Sequence, residues 1–160
     1  IMDIGRRNRL LSNLTLVFTG ISRFASQVAE KKIANLVARE RQVRRMVEIV
    51  DEATAILGDK ACPLSEIGEA LHESWSLKRG LADGVSSPHV DGIYEAARAA
   101  GAVGGKILGA GGGGFMLLYV EDERRAAVRD ALKGLTEVKF DLDTSGSKIV
   151  VYEPAGLGSV

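Results

Sequence analysis

Glycines are the residues of this chain best placed to do chemistry. From Gly104 to Phe115 it reads Gly-Gly-Lys-Ile-Leu-Gly-Ala-Gly-Gly-Gly-Gly-Phe, so seven of the first eleven residues carry no side chain. Ordering such a run costs more backbone entropy than ordering any other composition. It persists where bare backbone must come close to something or where φ must be positive. The chemistry on offer is anion binding, because successive unhindered N–H groups can converge on phosphate oxygens. Gly109, Gly111 and Gly114 have G-x-G-x-x-G spacing, but a dinucleotide fingerprint needs a strand before it and a helix after it. Here the strand-like run Phe115 to Val120 follows, so that reading fails. A Walker A loop fails too, since Ala100 stands where its first glycine belongs and Ile107 where Ser or Thr belongs. Two readings stay open: a structural hairpin whose glycines only let two strands turn, and a phosphate-facing loop between those strands.

The other chemically capable residues are isolated. His72 has no second His, Cys or carboxylate at ligand spacing, so no metal site is expected. Trp75 sits on an apolar helical stripe and reads as core rather than as a sugar platform. His89 falls in a helix's first turn and is expected to be exposed. Asp83 and Asp91 have no partner pattern that marks a general base, and no catalytic residue is assigned to this chain. Cys62, the single cysteine, excludes an internal disulfide and suits a reducing, cytoplasmic setting.

The elements that would position the glycines follow from periodicity. Leu14 to Phe18 is a β-prone run ended by Thr19-Gly20. A long helical region follows, with Val28, Ile33, Leu36 and Val37 on one stripe and Val43, Val47, Val50, Thr54 and Leu57 on the next. Unbroken, residues 24–57 would make a rod roughly 50 Å long, so a break is expected between Val37 and Arg41. Lys31, Lys32, Arg39, Arg41, Arg44 and Arg45 lie among Glu30, Glu40 and Glu48 without aromatic residues, the pattern of a solvated face rather than a nucleic-acid patch. Ile67, Ala70, Leu71, Ser74, Trp75, Lys78 and Leu81 share one face of the next helix. Ser87 caps another with Pro88 first, Val90, Ile93, Tyr94 and Ala97 inward, and Gly101 just past its end. Lys106 to Leu108 and Phe115 to Val120 form the hairpin arms. Asp122 is expected to cap a helix burying Val128, Ala131, Leu132 and Leu135. Val138, Phe140 and Leu142 alternate as a strand, and Ile149 to Tyr152 make a terminal one.

That order is βαββαβ with its first crossover expanded, plus a terminal strand. It predicts an α+β, ferredoxin-like antiparallel sheet with helices packed on one face. At 160 residues the chain is one domain. Its 21 basic and 21 acidic residues cancel, so no global field recruits nucleic acid or an anionic membrane. No apolar stretch reaches the roughly 18–20 residues that span a bilayer. Ile1 to Arg7 lacks an apolar h-region and does not read as a signal peptide.

The segment Lys106-Ile107-Leu108-Gly109-Ala110-Gly111-Gly112-Gly113-Gly114-Phe115 resembles the third motif of the GHMP small-molecule kinases. Three further pieces narrow the resemblance: Phe18-Thr19-Gly20-Ile21-Ser22-Arg23, Leu71-His72-Glu73-Ser74-Trp75-Ser76-Leu77-Lys78 and Pro88-His89-Val90-Asp91-Gly92-Ile93-Tyr94. Together they are most similar to the branch that phosphorylates D-glycero-D-manno-heptose 7-phosphate at its anomeric oxygen, with fucose kinases nearby. The resemblance runs in the expected order from Leu14 to Tyr152.

What the resemblance implies exceeds this chain. Members carry an N-terminal domain with a P-x-x-x-G-L-G-S-S-A loop for ATP phosphates and the usual acidic catalytic residue. Neither is present, and Ala155-Gly156-Leu157-Gly158-Ser159-Val160 only echoes the loop without the helix that should follow. The expected organisation is a lead-in over 1–13, a GHMP C-terminal domain over 14–153 and a tail over 154–160, with the ATP-binding domain outside the chain. ATP and Mg2+ would be bound mainly by that domain, which becomes the chain's partner, and the chain alone would be inactive. Gly109, Ala110, Gly111, Gly112, Gly113 and Gly114 would shape the phosphate-transfer cleft. Lys106 is the nearest cation, and Ser22 and Arg23 are candidates for the phosphate of a small sugar-phosphate substrate, since an arginine fork matches phosphate oxygens. Phe24 stands where a small polar residue is expected in relatives. An apolar face meant for the partner domain would let isolated copies pair as a homodimer. The alternative is a stand-alone ferredoxin-like module that binds a small ligand or a protein without kinase activity.

Overall fold

Four strands carry the fold in the computed structural model, which describes residues 2–21, 38–143, 146, 147 and 149. They are β1 (Leu14–Phe18), β2 (Gly104–Ile107), β3 (Phe115–Tyr119) and β4 (Thr136–Val138). The sheet is antiparallel throughout, in the order β2-β3-β1-β4. Leu117 of β3 lies opposite Leu16 of β1 and Lys106 of β2, and Leu16 in turn faces Val138 of β4. Five helices complete the described residues: α1 (Ile4–Asn13), α2 (Glu40–Gly58), α3 (Ser65–Arg79), α4 (Pro88–Ala99) and α5 (Asp122–Ala131). This is the expected α+β, ferredoxin-like arrangement.

Because successive strand residues point to opposite faces, the sheet has two apolar sides. On one, Val17, Ile107, Met116 and Leu118 pack with Trp75 of α3, with Val90, Ile93, Tyr94 and Ala97 of α4, and with Val128 and Leu132. On the other, Tyr119 packs with Leu10 of α1 and Ile67 of α3, with Ala53, Ile56 and Leu57 of α2 alongside. The helices pack mainly on the first face, as expected; the second is packed at its Tyr119 end, while Leu16 and Leu117 are half-buried there and Phe115 is exposed. Residues 4–13, read as a lead-in, form a helix capped by the Asp3 carboxylate, which accepts the Arg6 amide at 2.9 Å.

Helix α3 decides where the hairpin lies. A Cβ on Gly104 would fall 1.9 Å from the Gly68 carbonyl oxygen, so strand β2 lies directly against this helix. The buried stripe Ile67, Ser74, Trp75 and Lys78 is the one the spacing predicts. Helix α4 likewise follows its signals. Ser87 accepts the Val90 amide, and the Gly101 and Ala102 amides close the far end on the Arg98 and Ala97 carbonyls at 3.0 and 2.9 Å.

Elsewhere the elements depart from expectation. Ala38 and Arg39 form a turn directly before α2, inside the window where a break is expected, but the buried face of α2 is Ile49 with Ala53 and Ile56 beside it. Val47 and Val50 remain 60% and 62% exposed. The helix carries apolar residues on two sides, and spacing alone cannot say which one meets the core. Asp122 lies inside α5 rather than at its cap, where its charge still complements the helix N-terminus and pairs with Arg125 at 3.0 Å. Ala131 of α5 is exposed, while Val128 and Leu132 are buried. Strand β4 ends at Val138, and Phe140 and Leu142 are exposed beyond it. Alternation marks β-propensity, not the presence of a strand to pair with. The terminal strand, apart from Ile149, and the earlier stripe from Val28 to Val37 lie outside the described residues.

Candidate active site at the glycine hairpin

The hairpin closes where Leu108 donates its amide to the Phe115 carbonyl at 2.9 Å. Between those residues the backbone takes positive φ at Gly109, Gly111, Gly112, Gly113 and Gly114. Two positions show why side chains are excluded. A Cβ on Gly111 (φ +108°) would lie 2.7 Å from the Val85 carbonyl oxygen, and one on Gly113 (φ +155°) would lie 2.8 Å from Ile21.

The loop is fastened at three places. Lys78, buried on α3, donates from Nζ to the Ile107 carbonyl at 3.1 Å and to the Gly109 carbonyl at 2.6 Å. Val85 accepts the Gly112 amide at 2.8 Å from the loop between α3 and α4. Just past β1, Ile21 accepts the Gly114 amide at 2.8 Å, while the Gly114 carbonyl accepts both the amide and the hydroxyl of Thr19. His89 is exposed as predicted, and its Nε2 lies 2.8 Å from the Thr19 carbonyl, an arrangement that requires the proton on Nε2.

The loop is open at two positions. Around the Cβ direction of Gly109 and of Gly114 there is nothing within 4 Å. Among the described residues, the amides of Gly109, Gly111 and Gly113 donate to no backbone carbonyl. The hairpin therefore uses the Gly112 and Gly114 N–H groups to hold its shape, while the other three donate to no backbone carbonyl among the described residues.

Of the predicted site residues, Gly109 to Gly114 come together in this hairpin. Lys106 lies three residues before it, where its ammonium donates to the Ser74 hydroxyl at 3.2 Å and burial depresses its pKa. Ser22 and Arg23 fall outside the described residues. Asp91 accepts from Arg79 at 3.0 Å and from the Ser86 hydroxyl at 2.7 Å, which steadies the segment carrying Val85. Trp75 is fully buried and cannot stack on a ligand. His72 bonds the Tyr94 hydroxyl at 2.6 Å through Nδ1. No three residues of the His, Cys, Asp and Glu types gather among the described residues to hold a metal ion, and no helix among them is long and apolar enough to cross a membrane. Sequence reasoning did not identify Lys78 as a loop contact. Its signal was a lysine at a position of the helix otherwise reserved for buried residues.

Comparison with known proteins gives this geometry a context. A family profile described as GHMP kinases C terminal matches residues 60–135, which include α3, α4 and the whole hairpin. The bifunctional fucokinase/GDP-fucose pyrophosphorylase of Arabidopsis thaliana is 31% identical over 123 residues, covering 74% of this chain and 11% of that protein. The D-glycero-alpha-D-manno-heptose 7-phosphate kinase of Campylobacter jejuni is 30% identical over 129 residues, covering 79% of this chain and 37% of its own length. The crystal structure of L. major mevalonate kinase with R-mevalonate superposes with a TM-score of 0.66 at 24% identity, over 78% of this chain and 40% of that one, and supports the fold alone. This chain thus spans well under half of each of these proteins. On the profile match and these similarities, the chain belongs to the GHMP kinases as a C-terminal domain of that family.

Proposed function

We propose that the chain is the acceptor-side half of an ATP-dependent kinase for a sugar or sugar phosphate. In this reading its glycine hairpin closes the cleft in which the phosphoryl group moves to an alcohol oxygen. The observation that carries the proposal is the division of labour in the hairpin backbone: Gly112 and Gly114 hold the loop in place, while among the described residues the amides of Gly109, Gly111 and Gly113 donate to no backbone carbonyl and the space around Gly109 and Gly114 is open. Phosphoryl transfer asks a protein mainly to position the reactants and to stabilise charge on the phosphoryl oxygens. Preorganised amides suit that task because they do not reorganise during the reaction.

ATP, held with Mg2+ mainly by an upstream domain, supplies the phosphoryl group. This chain contributes the loop amides, an acceptor pocket and exclusion of water; the residue that takes the acceptor's proton belongs to the upstream domain. Ser22 and Arg23 are the proposed contacts for the substrate's own phosphate, and Lys106 is a further candidate. Heptose 7-phosphate is the favoured acceptor, supported by the motif pieces around Thr19, Trp75 and His89 and by the Campylobacter jejuni relative. A cytoplasmic setting goes with this reading.

The test joins the chain to the sequence encoded upstream of it. Phosphotransfer from Mg-ATP is then measured with D-glycero-D-manno-heptose 7-phosphate, fucose and mevalonate as acceptors. Expected are turnover of the heptose phosphate by the joined protein, none by the chain alone, and a loss of about a hundredfold or more in Gly112→Val. No phosphotransfer to any acceptor, or full activity in Gly112→Val, overturns the proposal.

A further inference from the structure

Buried lysines are uncommon because an ammonium loses its hydration, and they persist where fixed acceptors replace the water. Lys78 is 7% exposed. Two of its acceptors are backbone carbonyls, Ile107 at 3.1 Å and Gly109 at 2.6 Å. These carbonyls bracket the point where β2 ends and the glycine loop begins. A charged donor bonds a carbonyl more strongly than a neutral one does. Fixing those two carbonyls fixes the Ile107–Leu108 and Gly109–Ala110 peptide planes, and so confines the Gly109 amide that lies between them. Glycine backbone has no steric preference of its own to do this. The other anchors, Val85, Ile21 and Thr19, hold the middle and far end of the loop, so at the near end Lys78 works beside the Leu108–Phe115 bond that closes the hairpin.

We propose that Lys78 is a positioning residue for the glycine hairpin, setting the direction of the loop's amides from beneath its first turn. Its functional consequence rests on the phosphate-facing reading of the loop. Lys78 touches backbone alone in these two bonds and acts through it. The charge it holds under the loop also favours an anion bound above it.

The experiment is hydrogen exchange read by mass spectrometry in the full natural polypeptide that carries this chain, comparing wild type with Lys78→Met, which keeps the apolar stem and removes the ammonium. Expected is exchange about tenfold faster or more in a peptide covering Gly109 to Gly114, with peptides from α4 and α5 unchanged. Unchanged loop exchange overturns the inference, and so does an equal loss of protection throughout the domain, which marks an ordinary core contact. If Lys78→Met does not fold, the wild-type ammonium decides. An NMR signal of Lys78 exchanging with water far more slowly than that of exposed Lys133 supports the clamp; equal rates overturn it. Phosphotransfer provides the separate arm, expected to show kcat lower by about tenfold with acceptor KM changed less than about threefold. A loosened loop with unchanged kcat leaves Lys78 as the loop's positioning residue and refutes the phosphate-facing reading instead.

Discussion

Thr19 grips the Gly114 carbonyl twice, with its amide and its hydroxyl each 2.9 Å away. Thr19 is fully buried just past the end of β1, so this pair fastens the outgoing side of the glycine hairpin to the strand beside it. Thr19→Val keeps the shape of the side chain and removes only the hydroxyl bond, leaving Gly114 one partner. The expected loss of unfolding free energy is about 1 kcal/mol, read from the denaturant midpoint at constant slope. If the hairpin serves phosphoryl transfer, kcat/KM of the complete enzyme falls as well; an unchanged midpoint would show that the second bond contributes nothing.

Alanine substitutions separate two reasons for a glycine. Gly109 has φ +70° and open space around it, so Gly109→Ala meets only the left-handed penalty of about 1 kcal/mol. Gly111 has φ +108° and the Val85 carbonyl oxygen 2.7 Å from any Cβ, so backbone must move to admit Gly111→Ala. A destabilisation of about 2–4 kcal/mol is expected there. Equal midpoints for the two variants would sink the steric account of the loop.

How much of this was readable beforehand depends on the range of each interaction. The hairpin arms, the stripe of α3 and the capped helix α4 came from patterns within a few residues, which local periodicity and capping report directly. The buried side of α2 did not, since both Ile49/Ala53/Ile56 and Val43/Val47/Val50 have helical spacing and only the docking onto Ile67 chooses between them. Helix α1 was missed because it is largely polar and buries only Arg6 and Leu10. Arg6 reaches the Ile56 and Cys62 carbonyls, fifty or more residues away in sequence. At the site, the glycines were legible as an anion-binding candidate. Their anchors Lys78, Val85 and Thr19 come from three separate stretches, and no spacing rule links a lysine to the carbonyl it will face.

Tyr94 makes alkaline stability a test of the core. Its ring is 1% exposed, parallel to His72 at 6.0 Å and edge-on to Trp75 at 6.5 Å. Burial, the largest cause, raises its phenol pKa above the ordinary value. The unfolded chain therefore ionises first, and the stability contribution is complete below about pH 10 and lost as pH rises through the folded-state value. Tyr119, raised mainly by burial as well, acts in the same direction. The melting temperature of the wild type should fall more steeply above about pH 10 than that of Tyr94→Phe. Identical slopes would mean that the Tyr94 phenol ionises as readily folded as unfolded.

Lys106 is the candidate whose structural and functional roles predict opposite results. Its half-buried ammonium donates to one hydroxyl, that of Ser74, and burial lowers its pKa. A lowered lysine pKa means the folded state disfavours the proton. The penalty is fully present at neutral pH and disappears as pH rises through the depressed value toward about 10.4, the unfolded reference. Lys106→Met removes that penalty while keeping the apolar stem. At pH 7 it should raise stability slightly, by no more than about 1 kcal/mol because the ammonium is still partly solvated, and the gain should shrink as pH approaches 10. If Lys106 also serves phosphate in the complete enzyme, the same variant loses phosphotransfer even as it gains stability. A variant that is more stable and fully active would remove Lys106 from the site, and one that is less stable at pH 7 would show that the bond to Ser74 outweighs the lost hydration.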